Sequence, residues 1–335
     1  MKNTIITIIS VSKKTQYFKV FLQKLIIITL LFLNFDAIGD NKSNLNLTNK
    51  FEFSYEVKIP KSKGGKKIEL WIPLPQTDNY QKINELKIET DFDYSILKEE
   101  QFNNQYLYIH AKNENAGFIK ISVKANRFER NGGEKVSLKN VRMYLGESSK
   151  VLITNELRKE TQEVIKGLKD SFNQVKAIYE HIVGCIKYDK SGQGWGNGDV
   201  IFVCDERRGN CTDFHSLFIA MCRSINIPAR FVIGFPFPEN TPESIVKGYH
   251  CWAEFFINAK GWIPIDASEA FKHPEKKEYL FGNLDYNRLQ FTIGRDITVK
   301  GGKTKHTLNY FIYPYCLVNG EEFKVEKKFY YKNLN

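Results

Sequence analysis

Arg208-Gly209-Asn210-Cys211-Thr212-Asp213-Phe214-His215-Ser216-Leu217-Phe218 is the stretch whose reading decides the rest of the chain. Phe214, Leu217, Phe218, Met221, Cys222 and Ile225 recur three and four apart, so they form one strongly apolar helical face. Asn210 is a good N-cap, and Asp213 at the third helical position suits the positive end of the dipole. Cys211 therefore falls in the first turn of a mostly buried helix. Unpaired backbone N–H groups point there, and that environment favours a thiolate. Gly209 lets a substrate backbone come close. On this window alone, a nucleophile and a buried small cysteine are equally good readings.

Two later segments tip the balance. Tyr249-His250-Cys251-Trp252-Ala253-Glu254-Phe255-Phe256-Ile257 reads as a strand, Asn258-Ala259-Lys260-Gly261 as a turn, and Trp262-Ile263-Pro264-Ile265-Asp266 as the returning strand. Folding at this turn brings Asp266 opposite or diagonal to His250, and only an even register sets both on one face. Acyl transfer by a thiol needs this set: a cysteine, an imidazole to take its proton, and a carboxylate to fix the tautomer. Of the six histidines, His250 alone sits on a strand that feeds a hairpin with an aspartate across it. A surface hairpin carrying a polar pair is the plain alternative.

Four blocks then follow in one order: Gly209-Asn210-Cys211-Thr212-Asp213-Phe214, Ile227-Pro228-Ala229-Arg230-Phe231-Val232-Ile233-Gly234, His250-x-Trp252-x-Glu254, and Gly261-Trp262-x-Pro264-x-Asp266. Together they resemble the bacterial transglutaminase-like superfamily. The resemblance implies an α+β, papain-like core with the nucleophile on a central helix packed against an antiparallel sheet. It assigns nucleophile to Cys211, base to His250 and orienting carboxylate to Asp266. It extends more loosely from about residue 150 to the end, through Lys187-Tyr188-Asp189 and through Asp285, Arg288 and Arg295. The chain has no acidic loop like the calcium sites of animal transglutaminases, so no calcium and no other cofactor is expected.

Ahead of this core, Phe51, Phe53, Tyr55 and Val57 alternate with polar residues, and further short strands follow at Ile68–Ile72, Tyr106–Ile109 and Phe118–Val123. Residues 50–145 are expected to be a β-sandwich that folds separately, and residues 146–335 the catalytic domain with a carboxy-terminal β extension. The period changes to helical over Asn155–Gly167 and Ser171–Lys187, where His181 and Cys185 read as structural. Asp189–Asp199 carries four glycines and reads as a loop, without the Lys-Ser/Thr of a phosphate loop. Trp195 on this loop is either a lid or a tryptophan tucked against the core. Trp195, Gln193 and Trp252 are the expected substrate-binding residues; Trp252 shares the face of His250 on a strand. The Cys211 N–H is the expected oxyanion donor, with Trp195 and Gln193 as candidates for a second.

Length, composition and charge narrow the class. The chain has 335 residues, 42% of them hydrophobic and 26% charged, ordinary fractions for a globular protein. Lys2, Lys13, Lys14, Lys19 and Lys24 precede or flank the short apolar run Leu25–Phe35, which is followed by Ala37-Ile38-Gly39. Residues 1–39 therefore read as a signal peptide, and 40–49 as a linker. The rest is expected outside the cytoplasm, periplasmic or extracellular, with no stable membrane span after cleavage. Removing those five lysines and Asp36 lowers the formal charge from +11 to +7. The remaining lysines are scattered, so nucleic acid is not the expected partner. A peptide or protein substrate, including cell-wall peptide, is. No Cys-x-x-Cys knuckle occurs, and no metal site is expected; His215, four residues after Cys211, reads as packed rather than as a metal ligand or rival base. Hydrolysis is favoured over transamidation, although Asp205 and Glu206 lie close enough to Cys211 in sequence to offer an amine site. A non-catalytic papain-like binding module is the alternative class.

Overall fold

Alternation in the first strand has a direct structural result: Phe51, Phe53, Tyr55 and Val57 of β1 (Thr48–Ile59) are all fully buried, while the residues between them are not. The computed structural model describes residues 47–59, 66–113, 117–134 and 138–335, and Leu47–Asn335 is one compact unit. The expected signal peptide, and the linker up to residue 46, lie outside the described residues.

Five more long strands follow: β2 (Lys66–Leu74), β3 (Gln81–Thr90), β4 (Tyr94–Lys98), β5 (Gln105–Asn113) and β6 (Gly117–Phe128), with a short β7 (Arg130–Asn131). The helical part carries α1 (Asn155–Val164), α2 (Ser171–Cys185), β8 (Lys187–Tyr188), α3 (Val200–Glu206), β9 (Arg208–Gly209) and α4 (Cys211–Ser224). After it come β10 (Ala229–Pro236), β11 (Glu243–Ile245), β12 (His250–Ile257), β13 (Gly261–Ile265), α5 (Ala267–Lys272) and β14 (Asn283–Leu284). The chain ends with β15 (Arg288–Ile293), β16 (Ile297–Gly301), β17 (Thr304–Leu308), β18 (Tyr315–Val318), β19 (Glu321–Glu322) and β20 (Glu326–Asn333).

The strand-rich region is a pair of five-stranded sheets, in the orders β11-β20-β1-β6-β3 and β19-β18-β2-β5-β4. Phe53, Tyr55 and Ile121 from one sheet and Leu70, Ile72 and Leu107 from the other belong to one apolar core. The expected boundary after residue 145 does not separate these sheets from the rest. Both are completed by strands from beyond residue 240, because β20 pairs along β1 from Phe51↔Asn333 to Lys58↔Glu326, and β18 pairs with β2. A span of 50–145 alone would leave β1 and β2 each with one open edge.

The second layer is the antiparallel sheet β13-β12-β10-β15. Helix α4 packs on it, and every residue of α4 except Arg223 is buried. An aromatic seam joins this sheet to the sandwich: the ring of Phe53 lies 5.0 Å from Phe235, and Phe329 lies 4.4 Å from Phe235 and 4.6 Å from Tyr55. A buried ion cluster does the same further along. Glu254 on β12 takes Arg230 of β10 at 2.6 Å and also Arg130 of β7, and Arg130 reaches Trp262 O at 2.6 Å. Burial opposes the charge on Glu254, but the two guanidiniums outweigh it and draw its pKa down to about 2.

Two outcomes follow. A fragment covering residues 50–145 should show no cooperative melt, while the 47–335 chain melts cooperatively; calorimetry compares them. Glu254→Gln strands two buried guanidiniums and should lower stability by about 3–5 kcal/mol in chemical denaturation.

Candidate functional site

Cys211 opens α4 because Asn210 and Asp213 form a capping box. Asn210 Oδ1 accepts the Thr212 N–H at 2.8 Å, and Asp213 Oδ2 accepts the Asn210 N–H at 2.8 Å. The N–H of Cys211 itself has no acceptor among the described residues. It is one of the orphan donors of a helix start. Asp213 does more than cap. Its carboxylate also accepts Gly196 N–H at 2.6 Å and Gly198 N–H at 2.9 Å, so the glycine-rich loop is tied to the first turn of α4. Arg295 ties the same loop from the far side, through Asn197 O at 2.8 Å and Ser216 Oγ at 2.6 Å. Gly198 sits at φ +60°, and a Cβ there would stand 2.3 Å from Ser216 Oγ, so only glycine fits.

His250 begins β12. The register of the hairpin pairs Ala253 with Ile265, and one step beyond would set Asp266 against Trp252, two residues from His250. That is the even register, and His250 Nε2 meets Asp266 Oδ2 at 2.7 Å. Asp266 is fully buried, and four donors satisfy it. The same Oδ2 takes Arg288 Nη1 at 3.2 Å, while Oδ1 takes Glu269 N–H at 3.1 Å and Ser268 Oγ at 3.2 Å. With Nε2 committed to Asp266, Nδ1 is the nitrogen left for Cys211.

The charges follow from these contacts. Burial opposes ionisation of Asp266, but His250 and Arg288 hold its pKa well below the usual carboxylate range. Burial likewise opposes the imidazolium, yet Asp266 and Cys211 push His250 up to about 10. For Cys211 burial alone would raise the thiol pKa; the Cys251 and His250 hydrogen bonds and the imidazolium charge bring it well below the ordinary value. Both directions favour the charged pair of thiolate and imidazolium. The raised His250 pKa contributes stability that is full below about pH 6.5 and is lost as the pH rises through about 10. The depressed Asp266 pKa contributes stability that is present above about pH 3.8 and lost as the pH falls.

His250 lines a cleft of about 390 Å³, together with Tyr188, Phe237, Tyr249, Glu269 and Arg288. A larger hollow of about 560 Å³ lies on the outer face of the β1 sheet, among residues such as Glu52, Ser54 and Tyr330, and no cysteine or histidine lines it. The smaller cleft is the one that His250 opens into.

The expected substrate-binding residues do not line this cleft. Trp195 is half-buried and spends its indole N–H on Gly192 O at 3.2 Å, and Gln193 is exposed on the loop. Trp252 does share the face of His250, but it is fully buried under the Arg288 guanidinium, 5.1 Å from the ring. Of the two readings of this loop, a lid or a segment tucked against the core, the contacts favour the second, because Asp213 and Arg295 hold its backbone. His215 is fully buried and accepts the Ala267 N–H on Nε2 at 3.1 Å. Asp205 and Glu206 are exposed and do not line the cleft; Arg208 pairs with Glu206 at 3.2 Å, and Arg207 pairs with Glu160 at 2.8 Å. Arg288 and Tyr249 were missed as site residues. Tyr249 had one signal, its place beside His250; Arg288 had only its position in a familiar flank.

Comparison with known proteins finds relatives of this region. The model of the family described as the Transglutaminase-like superfamily matches residues 158–267, which span Cys211, His250 and Asp266. Over those residues the chain is similar to that superfamily. An uncharacterized protein of Haemophilus influenzae is 27% identical over 322 residues, covering 81% of this chain and 86% of that protein. The uncharacterized protein YebA of Bacillus subtilis is 26% identical over 117 residues, 31% of this chain and 16% of its own length. The solved structure of a candidate cysteine protease from Cytophaga hutchinsonii aligns with a TM-score of 0.60 at 17% identity, over 86% of this chain and 93% of that one. At that identity the likeness speaks to the fold.

Limiting iodoacetamide at pH 6 should label Cys211 ahead of Cys204, whose thiol burial pushes up to about 11, by about 100-fold or more. Peptide mapping reads the result. In His250→Ala the advantage should vanish. Equal labelling of Cys204 or Cys251 in the unaltered protein would overturn the assignment.

Proposed function

We propose that this protein is an exported thiol enzyme that cleaves amide or peptide bonds through Cys211, His250 and Asp266. The observation that carries the reading is the buried, ion-paired His250 set between Asp266 at 2.7 Å and a thiol of lowered pKa. A binding module has no use for a thiol of lowered pKa beside an oriented imidazole, whereas a nucleophile and its base need both. In the proposed reaction the Cys211 thiolate attacks the carbonyl carbon, and the carbonyl π pair moves to oxygen beside the free Cys211 N–H. The tetrahedral species collapses, the C–N bond breaks, and His250 Nδ1 gives its proton to the leaving amine. His250 then takes a proton from water as that water attacks the thioester, and the acid leaves as the thiolate re-forms.

Two features favour water over an amine as the second nucleophile. Asp205 and Glu206, about six residues before Cys211, are exposed and do not line the cleft, and neither does Trp195. Peptide or protein substrates, cell-wall peptides among them, fit this chemistry. Export rests on the sequence of residues 1–39; no helix of the described residues is long and apolar enough to cross a membrane.

The test offers a glutamine-containing peptide with and without excess primary amine, and traps the acyl-enzyme by mass. The free acid should dominate, and Cys211→Ala should lower turnover by about 10⁴-fold or more. Near-complete amine incorporation would make the protein a transamidase. No acyl adduct on Cys211 with any amide or ester would favour the binding module.

A further inference from the structure

A run of hydrogen bonds that the triad does not use leads from behind the site to its mouth, and its direction can be worked out. The Ala267 N–H can only donate, and it donates to His215 Nε2 at 3.1 Å. Burial lowers the His215 pKa, so the ring is neutral and carries its single proton on Nδ1. Nδ1 faces Cys251 Sγ at 3.6 Å. A sulfur that faces an N–H does not donate back to it, so the Cys251 proton must point elsewhere. Two acceptors are in reach of it, the Cys211 sulfur and Thr212 Oγ1 at 3.8 Å. Thr212 then has its own proton left, and the partner in reach is Tyr249 Oη at 2.9 Å.

The Tyr249 oxygen has a second donor. Asn210 Nδ2 reaches it at 3.2 Å, and the orientation of that amide is set because Asn210 Oδ1 accepts the Thr212 N–H. With two donors pointing in, the phenol keeps its own proton to give, and at rest Tyr310 Oη, which itself donates to Gly196 O, is the acceptor beside it. Asn210 and Thr212 flank Cys211, so this proton is held at the first turn of α4, beside the free Cys211 N–H. Tyr249 is half-buried and lines the same cleft as His250. Its ring is fixed by Tyr310 at 5.6 Å and Tyr313 at 5.8 Å. Burial and the nearby Cys211 charge keep the phenol pKa far above its ordinary value, so the group stays a donor.

We propose that the Tyr249 hydroxyl is the second hydrogen-bond donor to the carbonyl oxygen that becomes charged when Cys211 attacks; this rests on the thioacyl reading above. The arrangement favours the transition state over the resting state. Cys251 has one S–H and two acceptors, the Cys211 thiolate and Thr212 Oγ1. At rest the negative charge is on sulfur and draws that proton. Once the S–C bond forms, the charge is on the carbonyl oxygen and the sulfur no longer holds it. The Cys251 proton turns to Thr212, the Thr212 proton to Tyr249, and the whole run polarises toward the new oxyanion.

The experiment compares Tyr249→Phe with the unaltered full-length protein using two probes of Cys211. p-Nitrophenyl acetate acylates the thiolate through an oxyanion; iodoacetamide alkylates it at a methylene and forms none. The acylation rate should fall about 100-fold, while the alkylation rate and its pH profile stay unchanged. An unchanged acylation rate overturns the proposal. An equal fall in both rates also overturns it, and makes Tyr249 a residue that only positions the helix start. Failure of the unaltered protein to acylate on Cys211, with alkylation intact, would remove the thioacyl reading itself, a different result from either.

Discussion

A fully buried carboxylate must have its lone pairs filled, and Asp266 organises the site by meeting that demand. His250 from β12, Arg288 from β15 and two groups of α5 converge on its two oxygens. Asp266 also caps α5, so the point where β13 becomes helix is the point where the histidine is oriented. Three elements distant in sequence are locked at one place. The lock fixes which imidazole nitrogen faces the cysteine, and the charge of the carboxylate keeps that imidazole protonated.

The same logic repeats one layer away at Asp213. That residue fills its lone pairs with the N–H groups of Asn210, Gly196 and Gly198, and so couples the start of α4 to a loop 15 to 17 residues earlier. A glycine-rich loop is mobile only while its backbone groups are free to exchange partners with water. Here they are engaged by a buried carboxylate and a buried guanidinium. The site is thus built on a helix and a sheet whose supporting contacts are rigid, as precise chemistry requires.

The strand-rich half is not an appendage. β20 and β18 return from the end of the chain to complete its two sheets, and the Phe53, Phe235 and Phe329 rings pack across the join. Glu254 stands two strand positions beyond Trp252 and holds Arg130 from the amino-terminal half. Stability of the sandwich and geometry of the hairpin that carries His250 are consequently linked through shared core.

Local pattern determined a good deal by itself. The three- and four-residue spacing after Cys211, the capping pair Asn210 and Asp213, the alternation of Phe51 to Val57 and the turn at Asn258–Gly261 each depend on neighbours a few residues away, so sequence exposes them. The pairing of His250 with Asp266 was legible for the same reason, because a short hairpin leaves few registers and only one parity serves both side chains. Tertiary structure alone decided the rest. Which strands close the sandwich depends on pairing partners about 280 residues apart, for which no local signal exists. Trp252 shared a face with His250 as strand geometry demands, yet Arg288 from another strand covers it. Trp195 looked free on its glycines, until Asp213 and Arg295 reached across to hold the loop. Burial and hydrogen-bond partners are properties of the packed whole; a period of two or 3.6 reports which side a residue faces, not what meets it there.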